Sequence, residues 1–288
     1  MSKRHEAERH LQSLGEIRSI MGSMKTLALL ETRKLTRFLA TQQQVVDNIE
    51  AMADDFRSFY AVGHDVTREA CDVYLLLGSE RGFCGDFNEL LVGTLEEQLQ
   101  GNGVASPLLI AVGRKLHLRL EGDARLLSSL DGASVVEEVE VVLGQLVEEL
   151  ARIQQQYGPF RLSVIHHAAE SAGVQTDQIM PPFQQDPPPP RLGHAPRLNL
   201  TPEAFYSEMV DQYLFASLYF LIYTSLMAES RRRMQHLEGA IRRLDEQAAE
   251  LNLRRNTLRQ EEITEEIEVI LLSASAVRQQ HRRAPQRS

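Results

Sequence analysis

The 288-residue chain has no tryptophan, two cysteines and only 6% aromatic residues. Cys71 and Cys84 cannot build a disulfide framework, which points to a reducing compartment. With few bulky rings, the chain is poor in the residues that dominate adhesive surfaces. Basic residues are in deficit, 31 Lys and Arg against 40 Asp and Glu, and a net charge of −9 argues against a general nucleic-acid binder. Long apolar runs are missing too. The longest uncharged stretch, Gln212–Ala228, falls short of the ~20 residues a spanning helix needs, and it carries Gln, Ser, Thr and three Tyr. No apolar segment of the signal-peptide kind follows the charged opening MSKRHEAERH. The expectation is a soluble protein whose 43% hydrophobic residues suffice for a sizeable core.

What is present is periodicity. Alternating steps of three and four from Leu14 reach Ile17, Met21, Met24, Ala28, Glu31, Leu35, Phe38, Gln42, Val45, Ile49, Met52, Phe56 and Phe59. Twelve of these fourteen positions are apolar and no Pro interrupts them. That pattern predicts a coiled-coil helix of roughly 70 Å between Leu14 and Phe59. At the other end, Thr201-Pro202-Glu203 reads as N-cap, first helical residue and acidic first turn. Met234, Leu237, Ile241, Leu244, Ala248, Leu251 and Leu258 then form one seam. Ile263, Ile267, Ile270, Ala274 and Val277 form a second, offset by one residue. Two long helices with matching seams are expected to wind around each other, antiparallel, if the middle of the chain folds at one end of the pair.

The middle reads as α/β: strands at Cys71–Gly78, Pro107–Gly113 and Arg161–His166, helices at Asp86–Gln100 and Val135–Tyr157. This order predicts a small parallel sheet with right-handed crossovers. The expected organisation is an N-terminal coiled-coil helix (1–62), a Rossmann-like α/β domain (70–180), a stiff Pro-rich linker (181–200) and a C-terminal coiled-coil helix (201–288).

Catalytic chemistry is hard to find. Gly78-Ser79-Glu80-Arg81-Gly82-Phe83-Cys84-Gly85 lies between a strand and a helix, but lacks both the Walker GK[ST] ending and a GxGxxG fingerprint. Glu80 and Asp86 would repel a phosphate, so a tight structural turn is favoured over a phosphate cradle. Cys84 beside Arg81 is better read as a small half-buried residue than as an activated thiol. His166 and His167 alternate in direction along a strand and have no acid or Cys at ligand spacing, so no metal and no cofactor is expected there.

Four short motifs carry a family resemblance. Ser79-Glu80-Arg81-Gly82-Phe83-Cys84-Gly85-Asp86-Phe87-Asn88 resembles the S-D-R-G-L-C-G-G-L-N signature of the gamma subunit of F-type ATP synthases, the central rotor shaft. Lys25 with Arg33-Lys34-Leu35 resembles the end of that family's T-K-A-M-K-M-V-A-A-S-K-L. Ala228-Glu229 followed by Arg233-Met234 resembles S-E-x-x-x-R-M, and Asn256–Glu266 is similar to N-x-x-R-Q-x-x-I-T-x-E. The motifs keep the family's order. Glu80 in place of Asp, a heavier and more basic 235–244 and the Pro-rich linker mark a divergent branch.

The resemblance implies a non-catalytic subunit, one copy per complex, inside a ring of alpha and beta subunits. It also implies a membrane ion-carrying ring and an epsilon-type subunit as partners, at the cytoplasmic face of the plasma membrane. Arg259 and Gln260, with Asn256, Thr264 and Lys25, would form a polar catch on a catalytic-subunit loop. A charge-assisted hydrogen bond of about 1.5–3 kcal/mol registers yet stays reversible. On residues alone, pairing of Arg259 with Glu262 or Glu266 of its own helix is the favoured reading, and the resemblance tips it to the catch. Arg231, Arg232, Arg233, Arg242, Arg243, Arg254 and Arg255 form a basic sector, either a solvated face or contacts for acidic loops of the ring. Gly82, Cys84, Gly85 and Asn88 would shape the turn. Of the basic tail Val277–Ser288, the end after Pro285 would fray and the rest would sit in the ring's bearing. Two other readings stay open: a coiled-coil scaffold, and a nucleotide-dependent enzyme using the Gly78–Gly85 turn.

Overall fold

The computed structural model describes residues 3–60, 70–102, 107–169, 173–184, 189 and 193–283, with the backbone alone at 102 and 273–283. Two helices bracket the chain, α1 (Lys3–Arg57) and α5 (Pro202–Arg283). Between them lie β1 (Cys71–Leu77), α2 (Phe87–Asn102), β2 (Leu108–Val112), α3 (Arg114–Leu120) and β3 (Leu126–Leu130). A 3₁₀ turn at Val136–Glu138, α4 (Val139–Tyr157), β4 (Phe160–His167) and β5 (Val174–Met180) follow. Contacts divide the chain into two compact units, residues 1–25 with 237–288, and residues 26–236.

In the first unit the two helix segments run antiparallel. Arg4 pairs with Glu262 at 3.4 Å, Arg18 with Asp245 at 2.5 Å and Lys25 with Glu238 at 3.3 Å, so one number rises as the other falls. Ala7 and Leu14 are buried, and Ile241, Leu244, Ala248, Leu251 and Leu258 are half-buried at three- and four-residue steps. The expected second seam is corrected: Ile263, Ile267 and Ile270 are exposed. With Arg4 already opposite Glu262, α1 runs out before that seam begins. The side chains of Ala274 and Val277, and those of the basic tail, lie outside the described residues.

The second unit is a mixed five-stranded sheet in the order β3-β2-β1-β4-β5, parallel except for β5. Two strands and a helix went unpredicted. β3 is five residues with two serines, and β5 reads VQTDQIM, an edge strand without an apolar run. α3 is only seven residues long. One sheet face (Tyr74, Leu76, Leu109, Ala111, Ile165) packs on Phe87, Leu91 and Leu95 of α2 and Leu116 and Leu120 of α3. The other (Val73, Leu75, Ile110, Val164) packs on Val139, Leu143, Leu146 and Leu150 of α4, and on Tyr213, Leu218, Leu221 and Ile222 of α5. Thr201 caps α5, its hydroxyl accepting from the Ala204 amide at 3.3 Å. The run Gln212–Ala228 is part of this core, and no helix among the described residues is long and apolar enough to cross a membrane. Of the Pro-rich stretch, 185–188 and 190–192 lie outside the described residues.

Within 26–57 the seam of α1 is also corrected. Leu35 and Phe56 are buried as expected, but Phe38, Val45 and Met52 are exposed, while Val46 and Ala53 are buried. The stripe has moved on by one residue. A straight α-helix drifts about 20° per heptad against a 3.5-residue repeat, so four heptads shift the buried face by almost one position.

The loops after β1 and β2 approach closely. Gly113 has φ +110°, and a Cβ there would sit 2.8 Å from the carbonyl oxygens of Gly78 and Ser79. Gly113→Ala is therefore expected to cost about 2–4 kcal/mol, through backbone strain and a clash with atoms that cannot rotate away. Urea unfolding measures it, and Gly144→Ala, where a Cβ meets nothing within 4 Å, serves as the control.

Candidate functional site

Site geometry concentrates at the carboxyl end of β1, where the chain turns from Leu77 to Phe87. Here α5 reaches in. The Glu229 carboxylate accepts from the amides of Arg81 (3.2 Å) and Glu80 (3.3 Å), and Arg233, one helical turn later, donates to it. Arg233 Nε also donates to Gly82 O at 3.2 Å, and Ser225 Oγ donates to Leu77 O at 3.0 Å. Glu229 and Arg233 are both buried. Burial pushes the Glu229 carboxyl up from its ordinary value, opposed by Arg233 and the two amides.

Glu80 extends the network sideways. It accepts from the amides of Arg114 and Gly132, each at 2.9 Å, and pairs with the Arg114 guanidinium at 3.2 Å. The loops after β1, β2 and β3 thus share one carboxylate. The side chain of Asn88 closes the turn, accepting from the Ser79 amide at 3.0 Å and donating to its hydroxyl at 2.9 Å. Gly85 sits at φ +65°, and Gly82 lends its carbonyl to Arg233. Cys84 is buried, with its thiol pushed up to about 12, chiefly by burial. It is a packing residue.

A second polar cluster covers the start of α2. His167 is buried, stacks on Phe87 with ring centroids 3.8 Å apart and donates from Nε2 to Phe87 O at 2.8 Å. Burial holds its imidazole below the ordinary value, helped by Arg232 and His166. His166 Nε2 lies 2.7 Å from Asp177 Oδ2.

The basic sector is not one surface. Arg233 is spent inside the chain, which removes it from the residues expected to meet an acidic partner. Arg231 donates to Ala169 O and Arg232 pairs with Asp86 at 3.4 Å. Arg242, Arg243 and Arg254 are exposed and Arg255 is half-buried. In the first unit, Asn256, Gln260 and Thr264 follow one another at four-residue steps on an exposed face of α5, with Arg259 alongside. Thr264 Oγ1 donates to Gln260 O at 2.9 Å. Arg259 forms no ion pair among the described residues, whereas Glu262 pairs with Arg4. Lys25 is not part of this group: its partner Glu238 is 21 residues before Arg259, roughly 30 Å along the helix.

Residues 3–277 match the family model described as ATP synthase. The chain belongs to the ATP synthase gamma-chain family. It is 22% identical to the ATP synthase gamma chain of Clostridium beijerinckii, over 94% of this chain and 97% of that one. It is 23% identical to that of Frankia casuarinae at the same coverage. Among solved structures, a chain of the Euglena gracilis mitochondrial ATP synthase (OSCP/F1/c-ring) matches with TM-score 0.62 and 14% identity, over 99% of this chain and 98% of that one. A chain of the Tetrahymena thermophila mitochondrial ATP synthase central stalk and c-ring matches with TM-score 0.53 and 17% identity, over 77% and 99%. These structural likenesses show the gamma-chain fold.

Arg233→Met would leave the Glu229 charge buried without its cation. A loss of about 3–5 kcal/mol in urea unfolding is expected, and a change under about 1 kcal/mol would contradict the clamp. His167 generates a pH dependence. Its folded value is depressed, so the unfolded chain takes up the proton first. Stability from this site is full above about 6.5, falls as the pH drops through that value, and levels off below the folded value. Melting temperatures between pH 5 and 8, approximately the range over which His changes charge, should show this slope flattened in His167→Gln.

Proposed function

We propose that the chain is the central-stalk rotor subunit of a rotary F-type ATP synthase or ATPase. It has no catalytic site of its own and couples ATP chemistry in a surrounding ring of alpha and beta subunits to ion translocation across a membrane. The observation that carries this reading is the antiparallel helix pair of the first unit, keyed by three cross-helix ion pairs. A shaft must resist bending and twisting, and side chains interdigitated along a seam do that. Proton or sodium is chosen by membrane-sector residues that this chain does not carry.

The α/β domain of residues 70–180 serves as the foot, against the membrane ion-carrying ring and an epsilon-type subunit, at the cytoplasmic face. The exposed face bearing Asn256, Arg259, Gln260 and Thr264 is the polar catch for the ring, with Arg259 offering its guanidinium fork to a carboxylate. Arg242, Arg243 and Arg254, exposed elsewhere on the same helix, meet acidic loops of the ring. The scaffold and nucleotide-enzyme readings have no comparable support.

Purified with its candidate alpha and beta subunits, the chain is expected to join the ring in one copy and to support ATPase activity and rotation. Unchanged activity and rotation without it would overturn the reading. Arg259→Ala should weaken torque coupling about tenfold or more, the equivalent of one charge-assisted hydrogen bond, while the melting temperature of the free chain stays put. A wild-type rate in the assembled complex would remove the catch.

A further inference from the structure

Beside the Gly78–Asn88 turn, within the second unit, lies an open cavity of about 510 Å³, inside the size range of small-molecule sites. Three cations line it: Arg81 from the turn, and Lys115 and Arg119 one helical turn apart on α3. The acid on its wall is Glu89, 4.0 Å from Arg119. Lys115 enters no ion pair among the described residues. Arg81 uses Nε on Ser134 Oγ at 2.9 Å, and none of its guanidinium donors meets a carboxylate among the described residues.

The sequence objection to an anion at this turn was the pair Glu80 and Asp86. Folding takes both off the cavity wall. Glu80 turns to the amides of Arg114 and Gly132, and Asp86 turns to Arg232. The amides of Gly82, Phe83, Cys84 and Gly85 donate no hydrogen bond among the described residues. Phe83 and Gly85 sit at φ +64° and +65°, the left-handed conformation from which successive amides form anion-holding concavities.

The cavity also has an apolar wall. Phe83 is 46% exposed on it, with Leu118 nearby. A non-glycine residue at positive φ is strained, and here the strain sets an aromatic ring beside three cations. The family signature quoted above has Leu at this position, so the ring is a feature of this chain.

We propose that this pocket binds a phosphorylated ligand bearing a flat ring, a nucleotide by chemical class. Its phosphates meet Arg81, Lys115, Arg119 and the turn amides, and its ring lies against Phe83. The site binds without making or breaking a bond, and it stands independently of the rotor reading.

Calorimetric titration of the full chain with ATP, ADP and pyrophosphate tests it. Saturable binding of all three is expected. The double variant Lys115→Gln/Arg119→Gln should weaken all three about tenfold or more, and Phe83→Leu should weaken ATP and ADP severalfold while leaving pyrophosphate unchanged. All three side chains are exposed, so an unchanged melting curve verifies that the variants fold. Three results would overturn the proposal: no saturation at millimolar ATP, equal binding by the variants, or an Asp-rich peptide that occupies the pocket and is not displaced by ATP.

Discussion

The Glu229 carboxylate reaches from the middle of α5 into the amides at the end of β1, and it ties that edge of the sheet to the helix. A buried carboxylate is stable only when its lone pairs are met, and here two amides and the Arg233 guanidinium meet them. The same amides would otherwise be buried donors without acceptors at the point where the strand ends. Glu80 then passes the connection to the loops after β2 and β3. Polar groups with fixed directions hold the carboxyl edge of the sheet to the long helix. Apolar packing fixes the fit of sheet against α5, and hydrogen bonds of defined direction add a register that it sets less sharply. For a subunit that passes torque from a helix to a domain, resistance to sliding is the property that matters.

Aromatic residues divide between the units in a way that composition hides. None of the 17 Phe and Tyr lies in residues 1–25 or 237–288. They gather where packing must be firm: Phe56 against Phe205 and Tyr206, Phe38 against Tyr223, Phe183 against Tyr213. The paired helices of the first unit are held instead by small and aliphatic residues and ion pairs. Such exposed pairs are screened by solvent and contribute little to stability, so the helix pair owes its register to them more than its stability.

Much of this was legible from residues. Thr201-Pro202 marked the start of α5, and β1, β2 and β4 announced themselves as short apolar runs bounded by Gly or Pro. What failed, failed for physical reasons. β3 and β5 are partly polar because the sheet edges they form are only half covered. Along α1 a 3.5-residue repeat departs from the face that a straight helix presents, so Val45 and Met52 lie on the repeat but Val46 and Ala53 are the buried residues. Glu229 and Arg233 were visible as motif letters, but nothing in their spacing revealed that the guanidinium turns inward to Gly82. A basic run looks like a solvated face whether or not one of its members is buried. The cation-lined cavity was hidden for the opposite reason: Glu80 and Asp86 are adjacent to the turn in sequence, yet both point away from the cavity in space.

The lengths of the two long helices carry a last constraint. The register that sets Arg4 opposite Glu262 places residues 263–272 of α5 beyond the described part of α1. Ile263, Ile267, Val269 and Leu271 are exposed there. An isolated coiled-coil scaffold gains nothing from such an end, and self-association through it would be hard to limit. A shaft tip held inside a ring is a different case, because the surrounding subunits exclude water and the absence of aromatic anchors keeps the contact smooth. Under the rotor reading the exposed tip and the missing aromatic residues answer to one requirement: apolar enough to stay in its bearing, yet without the flat, deep-seated rings that would hold it at a single angle.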